Sequence, residues 1–266
     1  MFDSIAGDYD ALNHILSLDV DKIWRRKALK QIVDAPAPAR VLDLACGTGD
    51  FSIAIAKALS RSHKRVGTPI EAHVKAPAKV PVEAQVTSTG FVTGDSGRSD
   101  LMTKGHVTGV DLSEGMLAVM REKVAKAGLT EMISIEEGDG ENLRFPDNTF
   151  DRVTIAFGIR NFENREKGLR EMLRVLKPGG RLVILELSRP ENKVIRWFYD
   201  LYFLHILPKV GGKVSGDKAA YAYLPASVAA FPGKKEFSAT MREAGFRTVT
   251  HKAFTLGICR MYTGEK

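Results

Sequence analysis

The residues best placed to bind a small molecule lie in the sequence "DLACGTGD", where Gly47 and Gly49 follow a short apolar run and precede a helical pattern. A glycine has no Cβ atom and lets the backbone approach a ligand closely, so this turn favours a nucleotide-like ligand. Two glycines at this spacing are a weak indication on their own. Ser52 stands where the dinucleotide fingerprint has its third glycine, which disfavours a nicotinamide cofactor.

An acidic residue, Asp111, ends the next predicted strand in "GVDLS". A carboxylate at this place in nucleotide-binding α/β units accepts hydrogen bonds from ribose, about 20 residues beyond the glycine turn. Here Asp111 follows Gly49 by 62 residues. An insertion of roughly forty residues between them would restore the usual spacing. The alternative is that Asp111 caps a helix beside Ser113.

A third acidic turn, "EEGDGENLRFPDNTFD", contains Asp139 and Gly140, which suit an adenine amine and a backbone contact. Asp43 adds negative charge near the glycine turn. Several carboxylates would repel phosphate groups but would tolerate a phosphate-free nucleoside that carries a sulfonium. These residues therefore predict S-adenosylmethionine as the cofactor.

Strand-like and helical patterns alternate around these turns. In "HVTGVDLSEGMLAVMREKVAKAG", Ser113 is predicted to cap a helix that Gly128 ends. Two helices are predicted before the first strand, the second capped by Asp19. A helix at about Lys234 to Ala244 precedes two strand-like runs, "FRTVTHKAF" and "GICRMYTG", that should pair as an antiparallel edge. The pattern predicts an α/β fold with a mostly parallel sheet covered by helices on both faces.

Residues 60 to 105 interrupt this alternation. They are rich in Lys, Pro, Gly, Ser and Thr, and their isolated valines are too sparse to bury one face. We therefore expect a single domain over residues 1–266 with a mobile insertion at about 60–105.

The composition excludes several classes of protein. The 266 residues are 44% hydrophobic and 27% charged, as in globular domains, and no apolar run is long enough to span a bilayer. Cys46 and Cys259 show no metal-ligand spacing, so no metal is expected, and they suit a reducing cytoplasm. No secretion signal is predicted. The net charge of +7 is dispersed, which disfavours nucleic acid as a partner and fits an anionic membrane face equally well.

The chain resembles the UbiE-type family of quinone-biosynthesis C-methyltransferases. The sequence "YDALNHILSLDVDKIW" (Tyr9 to Trp24) resembles the first family signature, and "RVLKPGGRLVILELS" (Arg174 to Ser188) matches the second throughout. The segments "FPDNTFD", "FGIRN", "FLHILPKVG" and "YAYLPASVAAFP" are also similar to family segments. The resemblance covers nearly everything outside residues 60 to 105.

This resemblance implies a seven-stranded, Rossmann-like class I methyltransferase fold with N-terminal helices and a helical lid. It implies C-methylation of a prenylated quinol, converting demethylmenaquinol to menaquinol. The alternatives are the polyprenyl benzoquinol of ubiquinone synthesis and a cofactor-binding scaffold without catalysis. Assembly into a homo-oligomer is left open. The implied cofactor-binding residues are Gly47, Thr48, Gly49, Asp111, Asp139, Gly140 and Ala156.

The chain departs from the family pattern at three places. Asp21 stands where the first signature usually has His, and Leu12 where it usually has Met. We interpret both as a subgroup difference rather than a loss of function. Ala156 occupies the position of a cofactor-contacting Ser, so only a backbone contact is expected there.

The sequence "AFGIRN" ends the fourth predicted strand, at the edge where ligands bind in open α/β sheets. Arg160 and Asn161 are predicted to polarise the substrate, with Arg160 favouring the quinolate and ordering a water as base. The structural alternative is an ion pair between Arg160 and Glu163 or Glu166. Methyltransferases that act on nucleic-acid amines would show Asn or Asp followed by Pro-Pro and an aromatic residue here, and none is present.

Tyr9 and His205 complete the predicted catalytic set. Tyr9 would close the site from the N-terminal helices and touch the ring, or would simply be packed and hydrogen-bonded. His205 has a pKa range suited to proton removal, but a His in an apolar segment is often a core residue.

The segment "WFYDLYFLHIL", residues 197–207, holds six aromatic side chains: one Trp, two Phe, two Tyr and the imidazole of His205. Such a helix is apolar around most of its circumference and is either deeply buried or covered by an apolar ligand. We expect it to form a lid and tunnel for the polyprenyl tail and to rest on the inner face of the membrane through Lys193, Arg196 and Lys209. Core packing is the alternative.

Overall fold

The computed structural model describes residues 19–35, 38–66, 105–202 and 218–266. Tyr9, Leu12, His205 and Lys209 lie outside these ranges, as does most of the predicted insertion. The roles predicted for them stay predictions.

Helices and strands alternate along the described chain, as the sequence pattern predicts. The helices are α1 Val20–Ile32, α2 Asp50–Val66, α3 Glu114–Lys126, α4 Arg165–Val175, α5 Lys193–Leu201, α6 Lys218–Ala230 and α7 Lys234–Glu243. The strands are β1 Arg40–Leu44, β2 His106–Asp111, β3 Ile133–Glu137, β4 Phe150–Ala156, β5 Leu176–Leu187, β6 Arg247–Phe254 and β7 Cys259–Glu265. Two short 3₁₀ turns cover Ile159–Asn161 and Thr255–Gly257.

The strands form one seven-stranded sheet in the order β3-β2-β1-β4-β5-β7-β6. Strands β1 to β5 run parallel to one another, and β7 is antiparallel to both β5 and β6. The predicted mostly parallel sheet with an antiparallel tail is therefore confirmed. The chain runs outward from β1 through β2 to β3 and then returns to place β4 on the other side of β1. This reversal creates a switch point between β1 and β4, where open α/β sheets bind ligands.

Each face of the sheet is covered by helices that bury apolar side chains. Helices α1, α2 and α3 cover one face and bury Trp24 and Met120. Helices α4 and α7 cover the other and bury Phe237. Neighbouring residues of β1 alternate between the two cores, with Val41 in the first and Leu42 in the second, as the two-residue period of a strand requires. A strand buried on both faces holds the turn that follows it in a fixed position.

Three local predictions have clear outcomes. Ser113 caps α3, because its Oγ accepts a hydrogen bond from the Met116 backbone N–H at 3.2 Å, and Gly128 ends the helix at a positive φ of 65°. The prediction for Asp19 is wrong. Its backbone is left-handed (φ 60°) and its side chain makes no cap hydrogen bond; instead the carboxylate pairs with Lys22 at 2.7 Å.

The region predicted as an insertion begins within a helix. Helix α2 continues to Val66, beyond the predicted start at residue 60, and the described chain resumes at Gly105. The His106 backbone N–H then donates to the Ala39 carbonyl at 2.9 Å, which sets the start of β2 beside β1. The insertion itself stays a prediction.

Candidate active site

A cleft of about 450 Å³ opens at the carboxyl ends of the parallel strands. Its size lies within the range of about 300–1,000 Å³ that is typical of small-molecule sites. The turns after β1, β2, β3 and β4 all contribute to its lining. Of the residues that the sequence predicts, the cleft brings together Gly47, Asp111, Asp139, Gly140, Asn161 and Ala156. Thr48, Gly49 and Arg160 lie outside its lining.

The backbone at the switch point is held in sparsely populated conformations. Ala45 after β1 and Phe157 after β4 have positive φ values of 49° and 64°, which are uncommon for residues with a Cβ atom. Both line the cleft. Such strain persists only where the surrounding structure enforces it, and it is concentrated at functional sites.

The two glycines of the turn have different roles. Gly47 has a φ of 55° and lines the cleft, as predicted. Gly49 has a φ of 84°, and a Cβ atom placed there would lie 2.4 Å from the Cγ of Met120. Gly49 therefore makes room for a core methionine of α3, and its predicted contact with the cofactor stays a prediction.

Asp111 is the local cap that the sequence left open as one of two interpretations. Its Oδ1 accepts a hydrogen bond from the Ser113 N–H at 2.9 Å, which makes it a local cap. Its Oδ2 accepts from the Gly47 N–H at 2.8 Å and so ties the β2 turn to the glycine turn. Asp111 also lines the cleft, and a carboxylate with about four lone-pair sites suits ribose hydroxyls. The ribose contact itself stays a prediction.

The third acidic turn is built in a similar way. Asp139 Oδ1 accepts the Glu141 N–H at 2.8 Å, which leaves the carboxylate at the cleft wall. Beside it, a Cβ atom on Gly140 would lie 2.6 Å from the Phe162 ring, so the glycine is needed for the ring to pack there. Phe162 and Leu112, which is 67% exposed, give the cleft apolar surfaces. The sequence reasoning missed both; an apolar residue directly after the strand-end acid is the signal that could have found Leu112.

The charge of the cleft decides which ligands fit. Four carboxylates line it, those of Asp111, Asp139, Glu141 and Glu163, and no Lys or Arg among the described residues does so. Pyrophosphate would be repelled by these carboxylates at short range, whereas a nucleoside with a positive sulfur would be attracted. The residues present therefore fit S-adenosylmethionine.

Asp43 and Ser52 form a buried pair beneath the glycine turn. The Ser52 Oγ–H donates to Asp43 Oδ2 at 2.5 Å, and both side chains are inaccessible to solvent. Burial raises the pKa of Asp43 to about 7, and the nearby negative charge of Asp111 acts in the same direction, while the bond from Ser52 and the charge of Arg25 oppose it. Ser52 thus replaces the third glycine of the dinucleotide pattern because it is the hydrogen-bond donor to this carboxyl.

A second, smaller cavity adjoins the cleft beside Thr48. The buried Thr48 hydroxyl accepts a hydrogen bond from the Lys123 Nζ at 3.2 Å. Ala156 lines both cavities, and its methyl group offers no hydrogen bond to either. The contact expected at Ala156 is therefore limited to the backbone.

Arg160 belongs to the 3₁₀ turn after β4, and its side chain is buried. Its Nη1 donates to Glu186 Oε1 at 2.8 Å, and its backbone N–H donates to the other oxygen of that carboxylate at 3.1 Å. The guanidinium also contacts the Phe157 carbonyl, and both side chains of the pair are buried. The structural alternative was right about an ion pair but wrong about the partner, which is Glu186 rather than Glu163 or Glu166. The role of Arg160 toward substrate stays a prediction.

Glu186 was missed by the sequence reasoning. A single acid within the apolar strand "RLVILELS" is the signal that could have found it, because a buried carboxylate needs a partner. Asn161, the other predicted residue, lines the cleft and accepts a hydrogen bond from the Tyr223 hydroxyl of α6 at 2.9 Å. Arg160 Nε also donates to Ser227 of α6 at 3.3 Å. Two hydrogen bonds therefore fasten α6 to the strand-end turn.

One face of α5 is apolar and exposed. Val194, Trp197 and Phe198 are 65%, 61% and 60% exposed, and Leu201 continues the same face one turn later. Only Tyr199 of this helix is buried. The core-packing interpretation therefore does not describe this part of the segment. None of the described helices is long and apolar enough to cross a bilayer.

Comparison with known families agrees with this geometry. The sequence model of the ubiE/COQ5 methyltransferase family matches residues 1–266 of this chain. The chain belongs to this family. It is 43% identical to the ubiquinone/menaquinone biosynthesis C-methyltransferase UbiE of Geobacter sulfurreducens, over 100% of this chain and 87% of that protein. It is 39% identical to the demethylmenaquinone methyltransferase of Bacteroides fragilis, over 100% of this chain and 91% of that protein.

A solved structure shows the same fold. A SAM-dependent methyltransferase from Aquifex aeolicus aligns with a TM-score of 0.53 and 20% identity, over 90% of this chain and 88% of that chain. This family member is therefore an S-adenosylmethionine-dependent methyltransferase with the class I fold, as the resemblance implied. Within its described residues, no group of three or more His, Cys, Asp or Glu could hold a metal ion.

Proposed function

We propose that this methyltransferase converts demethylmenaquinol to menaquinol. When bound, S-adenosylmethionine would supply an electrophilic methyl group for a ring carbon of the quinol, with S-adenosylhomocysteine as the leaving group and the ring proton released to water. The observation that supports the proposal most directly is the acidic cleft, whose described lining has four carboxylates and neither Lys nor Arg and so suits a sulfonium nucleoside. The names of the relatives at about 40% identity support the quinol as the methyl acceptor.

The protein contributes mainly by placing the two reactants. Orientation alone can supply about 7–11 kcal/mol of a barrier when the reacting atoms are held in line. The strained turn from Phe157 to Asn161 forms one wall of the cleft and is fixed from below by Glu186. We assign Asn161 to the substrate side of this wall, and Arg160 to holding the wall and favouring the quinolate.

Turnover on two quinols tests the proposal. Short-chain demethylmenaquinol and the corresponding benzoquinol would each be incubated with methyl-labelled S-adenosylmethionine, and label in the quinone fraction would be measured. We expect methylation of the naphthoquinol to exceed that of the benzoquinol. An excess on the benzoquinol would support the ubiquinone alternative. Cofactor binding without label transfer to either ring would support the scaffold. Glu131→Gln, an exposed change outside the cleft, is the control and should match the wild type.

We further propose that the exposed face of α5 contacts the polyprenyl tail at the inner face of the membrane, so that the enzyme is a peripheral cytoplasmic protein. Large apolar side chains at the spacing i, i+3, i+4 and i+7 suit an acyl-chain surface, and the exposed Lys193 suits an anionic headgroup. Arg196 is engaged with the carbonyls of Pro190 and Glu191, so it contributes less than the sequence suggested.

Flotation with vesicles of phosphatidylcholine and phosphatidylglycerol tests the membrane contact. The double change Trp197→Asp and Phe198→Asp should move most of the protein from the floated fraction to the bottom, because it places two charges on the apolar face. Lys126→Glu on α3 changes the net charge equally and should float like the wild type. If the folded double variant floats unchanged, the membrane contact is excluded.

A further inference from the structure

The smaller cavity adjoins the cleft, and its described lining contains a cation, Arg25, together with the carboxyl groups of Asp43 and Asp50. It measures about 40 Å³ and shares Ala45, Gly47, Ala156 and Phe157 with the cleft. This volume exceeds the 10–15 Å³ or so that a single water needs and is close to that of a small polar group. Arg25 of α1 closes its far side. It is the one Lys or Arg among the described residues that line either cavity.

The hydrogen-bonding capacity of Arg25 is largely unused. Its Nη1 lies 3.5 Å from Asp21 Oδ2 and 3.5 Å from Asp50 Oδ2, at the outer limit of a hydrogen bond. Its Nε is buried and has no hydrogen-bond partner in the described part of the chain. Asp50 has a second cation, since the Lys123 ammonium contacts it directly. A guanidinium has five N–H donors, and a buried donor left without an acceptor is destabilising.

The position of the guanidinium is fixed by its surroundings. The Arg25 side chain is 18% exposed, and its Cζ lies 5.7 Å from the centroid of the Phe157 ring. Phe157 is the strained residue at the end of β4, so Arg25 and the cleft wall hold each other in place. The neighbouring Trp24 is buried and donates from its indole N–H to Thr255 Oγ1 at 2.9 Å, which anchors α1 on the opposite side.

S-adenosylmethionine carries one negative group, the carboxylate of its methionyl part. The described lining of the cleft offers that group four carboxylates and no cation, whereas the smaller cavity offers it Arg25. The two carboxyl groups beside Arg25 oppose the ligand less, because Asp50 is also paired with Lys123 and the pKa of Asp43 is raised to about 7. We propose that Arg25 binds the methionyl carboxylate in the smaller cavity, while the nucleoside and the sulfonium occupy the acidic cleft. This inference rests on the proposed use of S-adenosylmethionine and adds the residue that orients its amino-acid end. A planar guanidinium can bind a carboxylate through two parallel hydrogen bonds, which fixes orientation as well as affinity.

Calorimetric titration with two ligands tests the assignment. S-adenosylmethionine and its decarboxylated analogue differ only in the group that Arg25 would bind. The wild type should bind the intact ligand about 10- to 100-fold more tightly, the range expected for a charge-assisted hydrogen bond. In Arg25→Met this preference should fall below about threefold. Arg26→Met, on the exposed side of the same helix, should keep the wild-type preference.

The ratio of affinities separates the carboxylate contact from other effects. The decarboxylated analogue has one more net positive charge than S-adenosylmethionine, and the acidic cleft favours that charge equally in every variant. The change in the ratio of the two affinities on mutating Arg25 therefore reports the contact between Arg25 and the carboxylate. If Arg25→Met retains the wild-type ratio, the assignment is overturned. If Arg25→Met fails to fold because Asp21 loses the Arg25 guanidinium, Arg25→Lys is the second variant. Its preference for S-adenosylmethionine over the decarboxylated analogue should be weaker than that of the wild type but stronger than that expected for Arg25→Met. A wild type that binds both ligands equally also overturns the assignment, and one that binds neither overturns the cofactor proposal itself.

Discussion

At the scale of single residues, the site contains a carboxyl group that is costly to ionise. Asp43 is buried beneath the glycine turn, and its pKa is raised from 3.8 to about 7 mainly because burial disfavours the charged form. Between these two values the folded protein holds a proton on Asp43 that the unfolded chain has released. Stability contributed by this group is therefore greatest below about pH 4 and is lost as the pH rises toward 7.

Asp43→Asn should remove this pH dependence. Asparagine stays neutral and its carbonyl can still accept the Ser52 hydroxyl. As the pH rises from 4 to 8, the unfolding free energy of the variant should increase by about 3–4 kcal/mol relative to that of the wild type. Each unit of the pKa shift corresponds to about 1.4 kcal/mol. Urea unfolding of both proteins across this range measures the difference. A difference that stays constant with pH would contradict the raised pKa.

The sequence predicts some site residues better than others. Asp111 and Asp139 each follow a short apolar run, so chain order alone indicates that they lie at the edge of the sheet. Arg25 approaches the site from a helix that precedes β1, and its position depends on how that helix packs, which no local pattern reveals. Glu186 is adjacent in space to Arg160 only because β5 lies beside β4.

At the scale of elements, the turn after β4 connects the cleft to the helices above it. Glu186 at the end of β5 holds the turn through Arg160, and α6 is fastened to the same turn through Tyr223 and Ser227. The wall of the cleft therefore depends on a buried ion pair. Removing one partner of such a pair leaves an uncompensated charge, which costs about 3–5 kcal/mol.

Glu186→Gln should lower both stability and turnover. The glutamine fits the same space but leaves the Arg160 charge uncompensated, so we expect a loss of about 3 kcal/mol in unfolding free energy. The combined change Arg160→Met with Glu186→Leu should recover most of the stability but not the turnover, because the turn loses its support. Glu243→Gln, exposed on α7, is the control for urea unfolding and the methylation assay. Full turnover in the stable double variant would show that the pair has no role in positioning.

Most elements follow from local patterns, whereas their arrangement does not. The strand and helix periods, the Ser113 cap and the antiparallel tail could all be predicted from the sequence. The strand order could not, because it depends on which side of β1 the chain returns to after β3. Asp19 shows how an eligible capping residue fails when the backbone before the helix is left-handed.

At the scale of the whole molecule, charge is divided between the surface and the site. The chain has a net charge of +7, yet its cleft is lined by four carboxylates. The positive excess therefore lies outside the cleft, where it suits an anionic membrane surface, while the cleft itself selects a cationic nucleoside. Under the proposed function, the apolar face of α5 would contact the tail of a lipid-soluble substrate.

The most direct measurement is a calorimetric titration of the wild type and of Asp111→Asn with S-adenosylmethionine and with NAD⁺. The wild type should bind S-adenosylmethionine, and Asp111→Asn should bind it about 10- to 100-fold more weakly, because the charged acceptor at the ribose position is lost. NAD⁺ should neither bind nor displace the nucleoside, since the carboxylates repel its pyrophosphate. Tight binding of NAD⁺, or an affinity for S-adenosylmethionine that Asp111→Asn leaves unchanged, would contradict an acidic cleft that selects a sulfonium nucleoside.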